Sequence, residues 1–321
     1  MEIKPEIAER IQKLAEKYEA MGQDLVSYLD GLLYSDYLTY WDYIHLDTLL
    51  SLQTPRTPFP DEEIFIMYHQ ITELYFKLCL HEMEQIGNKQ DIDAAFLTAR
   101  LKRINSYFES LTKSFEIMVD GMEKEQFLQF RMALLPASGF QSAQYRMIEI
   151  CATDFYNLVD KELRSRYNGT ITESMIEDMF TNIYWKKGAT ELATGKKTLT
   201  LEQFEKKYAD DLIAFGKNYR LKNVWRKYLS LSDNQKENAE LKNQLRFLDI
   251  NVNVNWPLMH YKSAVRYLQR NPEDIAATGG TNWQKYLPPR FQKRIFYPEL
   301  LTEKENEEWG KGWVEKNVFG L

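Results

Sequence analysis

Residues 61–86 carry apolar side chains nearly all the way round a helix: Ile64, Phe65, Ile66, Met67, Ile71, Leu74, Tyr75, Phe76, Leu78 and Leu80. Such a helix has no broad face suited to water, so it is expected at the centre of a helical bundle. Its start is marked by Pro60, Asp61, Glu62 and Glu63. Proline costs no hydrogen bond in a first turn, and carboxylates meet the positive end of the helix dipole there. Gly87-Asn88 suits its end.

Helical spacing recurs along the rest of the chain. Ile7, Ile11, Leu14, Tyr18, Met21, Leu25 and Tyr28 predict one amphipathic helix over 5–30. Two more are predicted over 91–131 and another over 140–165. Thr200-Leu201-Glu202-Gln203 reads as a capping box that opens helical patterning through 245. A further helix runs from Pro257 to Arg270 and stops at Asn271-Pro272. Alternating strand patterns are nearly absent. The expectation is a single all-α domain over 1–321, a helical bundle. The more polar stretch 166–205, with turn signals at Asn168-Gly169, Gly188 and Gly195-Lys196, is expected as an excursion from its core.

Composition narrows the chemistry. Two cysteines and four histidines in 321 residues exclude a disulfide scaffold and a Cys-rich metal site. They also leave few ligands for a multi-histidine centre. A net charge of −6 argues against a nucleic-acid partner. No apolar run reaches the roughly 18 residues of a membrane span. The charged N-terminus has no signal-peptide core, so a soluble, cytoplasmic setting is expected.

Among the histidines, His69 follows Phe65 by four residues and shares its face of the apolar helix. It reads either as a satisfied core histidine or as a functional ring. His260 follows Trp256 by four and shares a face with Ala264 and Tyr267. A core or capping role and a haem-ligating role both suit it. His45 and His81 stand beside charged residues and read as surface positions. Arg131 follows Phe127 by four in an apolar stretch, where a guanidinium calls for a carboxylate, from the protein or from a ligand. Tyr40 and Tyr43 share one helical face in an aromatic cluster. The loop 277–282 reads as a plain turn or as an anion-facing nest.

These segments closely resemble the tryptophan 2,3-dioxygenase family. The resemblance rests on four stretches in family order. The first is Tyr40-Trp41-Asp42-Tyr43-Ile44-His45-Leu46-Asp47 with Leu49-Leu50-Ser51. The second is Phe65-Ile66-Met67-Tyr68-His69-Gln70 with Glu73-Leu74 and His81-Glu82. The third is Phe130-Arg131, then Pro136-Ala137-Ser138-Gly139-Phe140-Gln141-Ser142 and Gln144-Tyr145-Arg146. The fourth is Trp256 and His260, then Thr278-Gly279-Gly280 and Tyr286-Leu287. The departures are a divergent loop sequence around Thr278, about four extra residues between His260 and Thr278, and Ile44 in place of the usual leucine, a volume-conserving change.

The resemblance implies an all-α haem enzyme that cleaves the indole C2–C3 bond of L-tryptophan with O2, giving N-formylkynurenine. It implies haem b with His260 as the axial ligand of its iron, Trp256 beside it, and Ser138 near the haem edge. It implies His69 as acceptor of the indole N–H. Tyr40, Tyr43, Ile44, Phe65 and Phe127 would wall the indole, Arg131 would clamp the substrate carboxylate, and Thr278 would contact the amino acid end. A homotetramer is implied, in which Tyr40 and Tyr43 complete a neighbour's pocket. Two rival expectations remain: a haem monooxygenase of the same fold acting on an aromatic amino acid, and a non-catalytic haem- or tryptophan-binding protein.

Overall fold

The computed structural model describes residues 3–36, 38–135, 141–167, 171–190, 194–269 and 293–309. The chain divides into two compact units, Met1–Thr54 and Pro55–Leu321, where the sequence reads as one domain. Both are helical.

The first unit holds α1 (Pro5–Ala20), α2 (Leu25–Leu33), α3 (Tyr40–Tyr43) and α4 (Leu46–Leu49). The single helix expected over 5–30 is thus two. Gly22 adopts φ of 66°, a left-handed conformation that ends α1. Asp24 then starts α2 by accepting hydrogen bonds from the Val26 and Ser27 N–H groups. None of the four helices buries a residue. Their apolar side chains, among them Val26, Leu32, Leu33 and Trp41, stay exposed.

The second unit contains the core. Its helices are α5 (Asp61–Asn88), α6 (Ala94–Ser114), α7 (Glu116–Asp120), α8 (Lys124–Phe130), α9 (Ala143–Ala152), α10 (Met175–Thr181), α11 (Tyr184–Gly188), α12 (Leu199–Tyr219), α13 (Val224–Leu229), α14 (Asp233–Lys236), α15 (Ala239–Ile250), α16 (Trp256–Leu268) and α17 (Glu303–Glu307). Among the described residues only two isolated β-bridges occur, Val159 with Ile183 and Thr190 with Lys197. The all-α expectation holds.

α5 packs against α6 and α9, and α6 against α15. Phe76, Met83, Ile86, Leu97, Leu101, Ile104 and Phe108 are fully buried along these contacts. Each such side chain contributes about 1.5–3 kcal/mol on burial. Apolar residues do not, however, bury α5 on all sides. Met67, Ile71, Leu74 and Leu78 form an exposed stripe at four- and three-residue spacing. The neighbouring helices gather on the opposite faces and leave this stripe open in the single chain.

Among the described residues of 166–205, the excursion expected from the sequence is not seen. Ile176, Met179, Phe180, Trp185, Ala189, Leu201 and Phe204 are buried in the same cluster as α5 and α6. Their polar neighbours misled the sequence reading because they pair: Lys186 and Lys197 both bond Glu205. Gly216 in α12 allows the closest approach here, since a Cβ there would stand 2.8 Å from the Phe155 ring. The helix cap near 200 is Thr198, whose hydroxyl accepts from Leu201 N–H, rather than Thr200.

The last structural correction concerns α16. The sequence reads it as a fresh start at Pro257. Instead α15 runs on through a π-helical turn, Asn251–Asn255, directly into α16. Pro257 lacks an N–H and its ring collides with the carbonyl four residues back. A wider turn ahead of it relieves that clash.

Candidate active site

Two helices and the α6–α8 region bring the site together. α5 is anchored at its start by Asp61, whose carboxylate accepts from Glu123 N–H at 2.6 Å and whose N–H donates to Gln126 Oε1 at 3.2 Å. That contact fixes α8 beside the first turns of α5, and Phe65 consequently meets Phe127 and Phe130, with ring centroids 6.4 and 5.8 Å apart. Phe65 also lies 4.1 Å from the His69 ring. α16 packs against α7 and α8. Its Tyr267 donates to the Val119 and Met122 carbonyls and places its ring 4.6 Å from Phe127.

His260 packs against Phe115 and Trp256, at ring distances of 4.6 and 4.5 Å, and those two rings also touch, 5.1 Å apart. Phe115 in turn meets Tyr68 edge-on at 5.6 Å, and Tyr68 meets His69 at 6.5 Å. An unbroken series of aromatic contacts therefore joins the two histidines.

Both histidines solve the same local problem in the same way. His69 Nδ1 lies 2.7 Å from Phe65 O, and His260 Nδ1 lies 3.1 Å from Trp256 O. A carbonyl can only accept, so each Nδ1 carries the proton and donates. Each Nε2 keeps a lone pair for a metal or for a donor. Burial pushes the His260 imidazole down to about 4; the bond to Trp256 opposes this, and charge on His69 would push it lower. Burial also lowers His69, against the bond to Phe65 and the nearby Glu73. His69 nevertheless keeps an accessible face. Neutral rings with an Nε2 lone pair are the donor chemistry that a haem iron and a substrate N–H require, so His260 fits a ligand of such an iron.

Arg131 is buried at the end of α8, with 7% of its surface exposed, and burial lowers its pKa. It follows Phe127 and Phe130 in the chain, at the C-cap of α8. Tyr40, Tyr43 and Ile44 belong to the first unit, where Tyr40 and Tyr43 are 70% and 73% exposed. His45 and His81 are exposed, as read from the sequence. Ser138 and Thr278 lie outside the described residues.

Phe115, Tyr68 and Phe130 join the site without having been singled out as site residues. Phe130 and Tyr68 stand inside the matched stretches. Phe115 carries no sequence signal, because its role comes only from α16 crossing the junction of α6 and α7.

The sequence pattern of the family described as tryptophan 2,3-dioxygenase matches residues 30–273. A tryptophan 2,3-dioxygenase of Bacillus thuringiensis subsp. konkukian (strain 97-27) is 28% identical over 278 residues, covering 83% of this chain and 92% of that protein. One of Ruegeria sp. (strain TM1040) is 39% identical over 117 residues, covering 36% of this chain and 42% of that protein. One of Bacillus cereus (strain ATCC 10987 / NRS 248) is 29% identical over 280 residues. With a match that spans well over half of its length, the chain belongs to the tryptophan 2,3-dioxygenase family, a family of oxidoreductases.

Proposed function

We propose that this protein is a haem-dependent dioxygenase that opens the indole C2–C3 bond of L-tryptophan with O2 to give N-formylkynurenine. The observation that carries the reading is the histidine pair. Two neutral imidazoles, linked by a series of ring contacts and each donating through Nδ1, keep their Nε2 lone pairs unused by those bonds.

His260 would hold a haem b iron through Nε2, with Trp256 and Phe115 packed against its ring. When bound, haem supplies the redox chemistry with O2 that oxygenates the indole. The protein's own residues orient and desolvate. The indole N–H would donate to His69 Nε2, which stays an acceptor at neutral pH because its pKa is lowered. Phe65 and Phe127 would wall the indole, and the Phe130 ring behind them excludes water. Arg131 would take the substrate carboxylate bidentately, a planar fork for a planar anion. Orientation of this kind contributes to rate by removing unproductive poses. Thr278 would contact the amino acid end and Ser138 the haem edge.

We further propose a homotetramer in which Tyr40, Tyr43 and Ile44 reach a neighbour's pocket. Two features support it. The helices of the first unit bury none of their own apolar residues, and α5 exposes the stripe Met67, Ile71, Leu74 and Leu78. Apolar surface on that scale marks an interaction site. No helix among the described residues is long and apolar enough to cross a membrane, and a cytoplasmic setting is proposed with the rest.

The deciding experiment reduces the haem-loaded protein anaerobically, adds L-tryptophan and then 18O2, and weighs the product. Two labelled oxygen atoms from one O2 support the dioxygenase. A single labelled oxygen assigns a monooxygenase, and no turnover assigns a binding protein.

A further inference from the structure

The π-helical turn before α16 leaves one backbone group without a helical partner. In an α-helix the Val252 carbonyl accepts from the N–H of residue 256. Here that N–H donates to Asn251 O instead. In a continued π-helix the donor would be the N–H of residue 257, which is a proline and has none. Val252 is completely buried, and an unpaired buried carbonyl is costly.

The missing donor comes from 107 residues away in the sequence. The Tyr145 hydroxyl on α9 donates to Val252 O at 2.7 Å. The same hydroxyl is also hydrogen-bonded to Arg294. Because the proton goes to the carbonyl, its lone pairs face the guanidinium. The Tyr145 ring packs on Phe76 at 5.4 Å, and Phe76 meets Trp256 edge-on at 5.8 Å. The hydroxyl therefore holds the turn, while the ring leans on Phe76, which in turn meets Trp256, the residue whose carbonyl accepts from His260.

The turn decides where His260 points. A π-turn holds one residue more than the α-turn it replaces. Closing it to an α-turn would swing every later side chain by about 100° relative to α15 and shift it by about 1.5 Å. Trp256 and His260 both lie beyond the turn. Pro257 withholds the N–H that the open turn would use, and Tyr145 satisfies the carbonyl left without a donor.

We propose that Tyr145 is a positioning residue for His260: its hydroxyl stands in for the helix hydrogen bond that Pro257 removes, and so fixes the register at which the His260 ring is presented. The inference rests on the reading of His260 as the haem ligand.

The test uses the haem-loaded protein and a Tyr145→Phe by Pro257→Ala cycle. The readouts are the iron–histidine stretching band of the ferrous protein and the rate of haem loss to an excess of a haem-scavenging protein. Tyr145→Phe alone should shift or broaden the band and speed haem loss about tenfold, the scale of one buried hydrogen bond. Pro257→Ala returns an N–H to the helix, so in that background Tyr145→Phe should leave both readouts unchanged within about twofold. A hydroxyl that merely stabilises the fold would cost the same in both backgrounds, and that result overturns the proposal. So does an unchanged band in Tyr145→Phe. If Tyr145→Phe alone does not fold, a folded, haem-loaded double variant supports the proposal, and a double variant that also fails to fold overturns it. His260→Ala separates the two levels: loss of the band upholds the ligand assignment whatever Tyr145 does, whereas a retained band overturns the assignment and the inference with it.

Discussion

α5 carries His69 within an unbroken helix of 28 residues, whereas α16 carries His260 just beyond a π-turn and a proline. The two rings still make the same bond, Nδ1–H to the carbonyl four residues back. That bond is local to any helix and sets the tautomer without help from tertiary structure. What differs is the setting. His260 packs against Phe115 and Trp256 and is pushed to about 4. His69 has Phe65 on one side, keeps an accessible face and is lowered by burial. One protein thus holds two rings of the same tautomer, one enclosed enough to serve as a fixed ligand and one open enough to meet a substrate.

The largest expected effect breaks the comparison at His260. His260→Ala should lose the iron–histidine band and retain little haem through gel filtration, while His69→Ala stays haem-loaded. Equal haem content in the two variants would show that the rings do not divide the roles.

Phe115→Ala comes next. The ring is 5% exposed and touches Tyr68, Trp256 and His260. Its removal should cost about 3–5 kcal/mol in urea denaturation, in line with a buried aromatic cavity. It should also weaken haem binding more than it disturbs tryptophan affinity. A variant of normal stability would detach Phe115 from the link between the histidines.

On the His69 side, Arg131→Lys should raise KM for tryptophan by about 10- to 100-fold, since a lysine cannot reproduce a bidentate fork to a carboxylate. Haem content should not change. An unaltered KM removes Arg131 from the substrate.

The smallest effect sharpens the role of His69 itself. His69→Ala should lower kcat/KM by about tenfold and leave measurable turnover, the loss of one neutral hydrogen bond to substrate. A dead but haem-loaded variant would mean that His69 moves a proton. The pH profile gives the sign. Burial holds the His69 pKa below its ordinary 6.5, so the acceptor form prevails at neutral pH and is lost only on acidification below that value. Wild-type kcat/KM should stay level down to about pH 6.5 and fall below it, and His69→Ala should flatten that fall.

Much of this was legible in the residues. The ends of α5 fell within two residues of those expected from Pro60, the acidic first turn and Gly87-Asn88. The pairing of Phe65 with His69, and of Trp256 with His260, follows from four-residue spacing alone. Gly22 and Asp24 also carried their signal openly, although apolar periodicity outweighed them in the reading of 5–30. Other features had no local trace. The stretch 166–205 reads as an excursion from its polarity and its turn signals, and neither shows that Lys186 and Lys197 both pair with Glu205. The open stripe on α5 was hidden because apolar periodicity states which side chains avoid water, not which neighbours arrive to cover them.

By itself, the sequence determined the all-α class, the bounds of α5 and the family. All three rest on interactions within a few residues of one another or on the identity of residues in order. Only the tertiary structure decided that Phe115 bridges the histidines, that the described part of 166–205 enters the core, and that Tyr145 caps the turn ahead of His260. These depend on contacts between residues far apart in the chain, such as the 107 positions between Tyr145 and Val252. The energy of such contacts exists only once packed helices bring the partners within hydrogen-bonding or van der Waals reach.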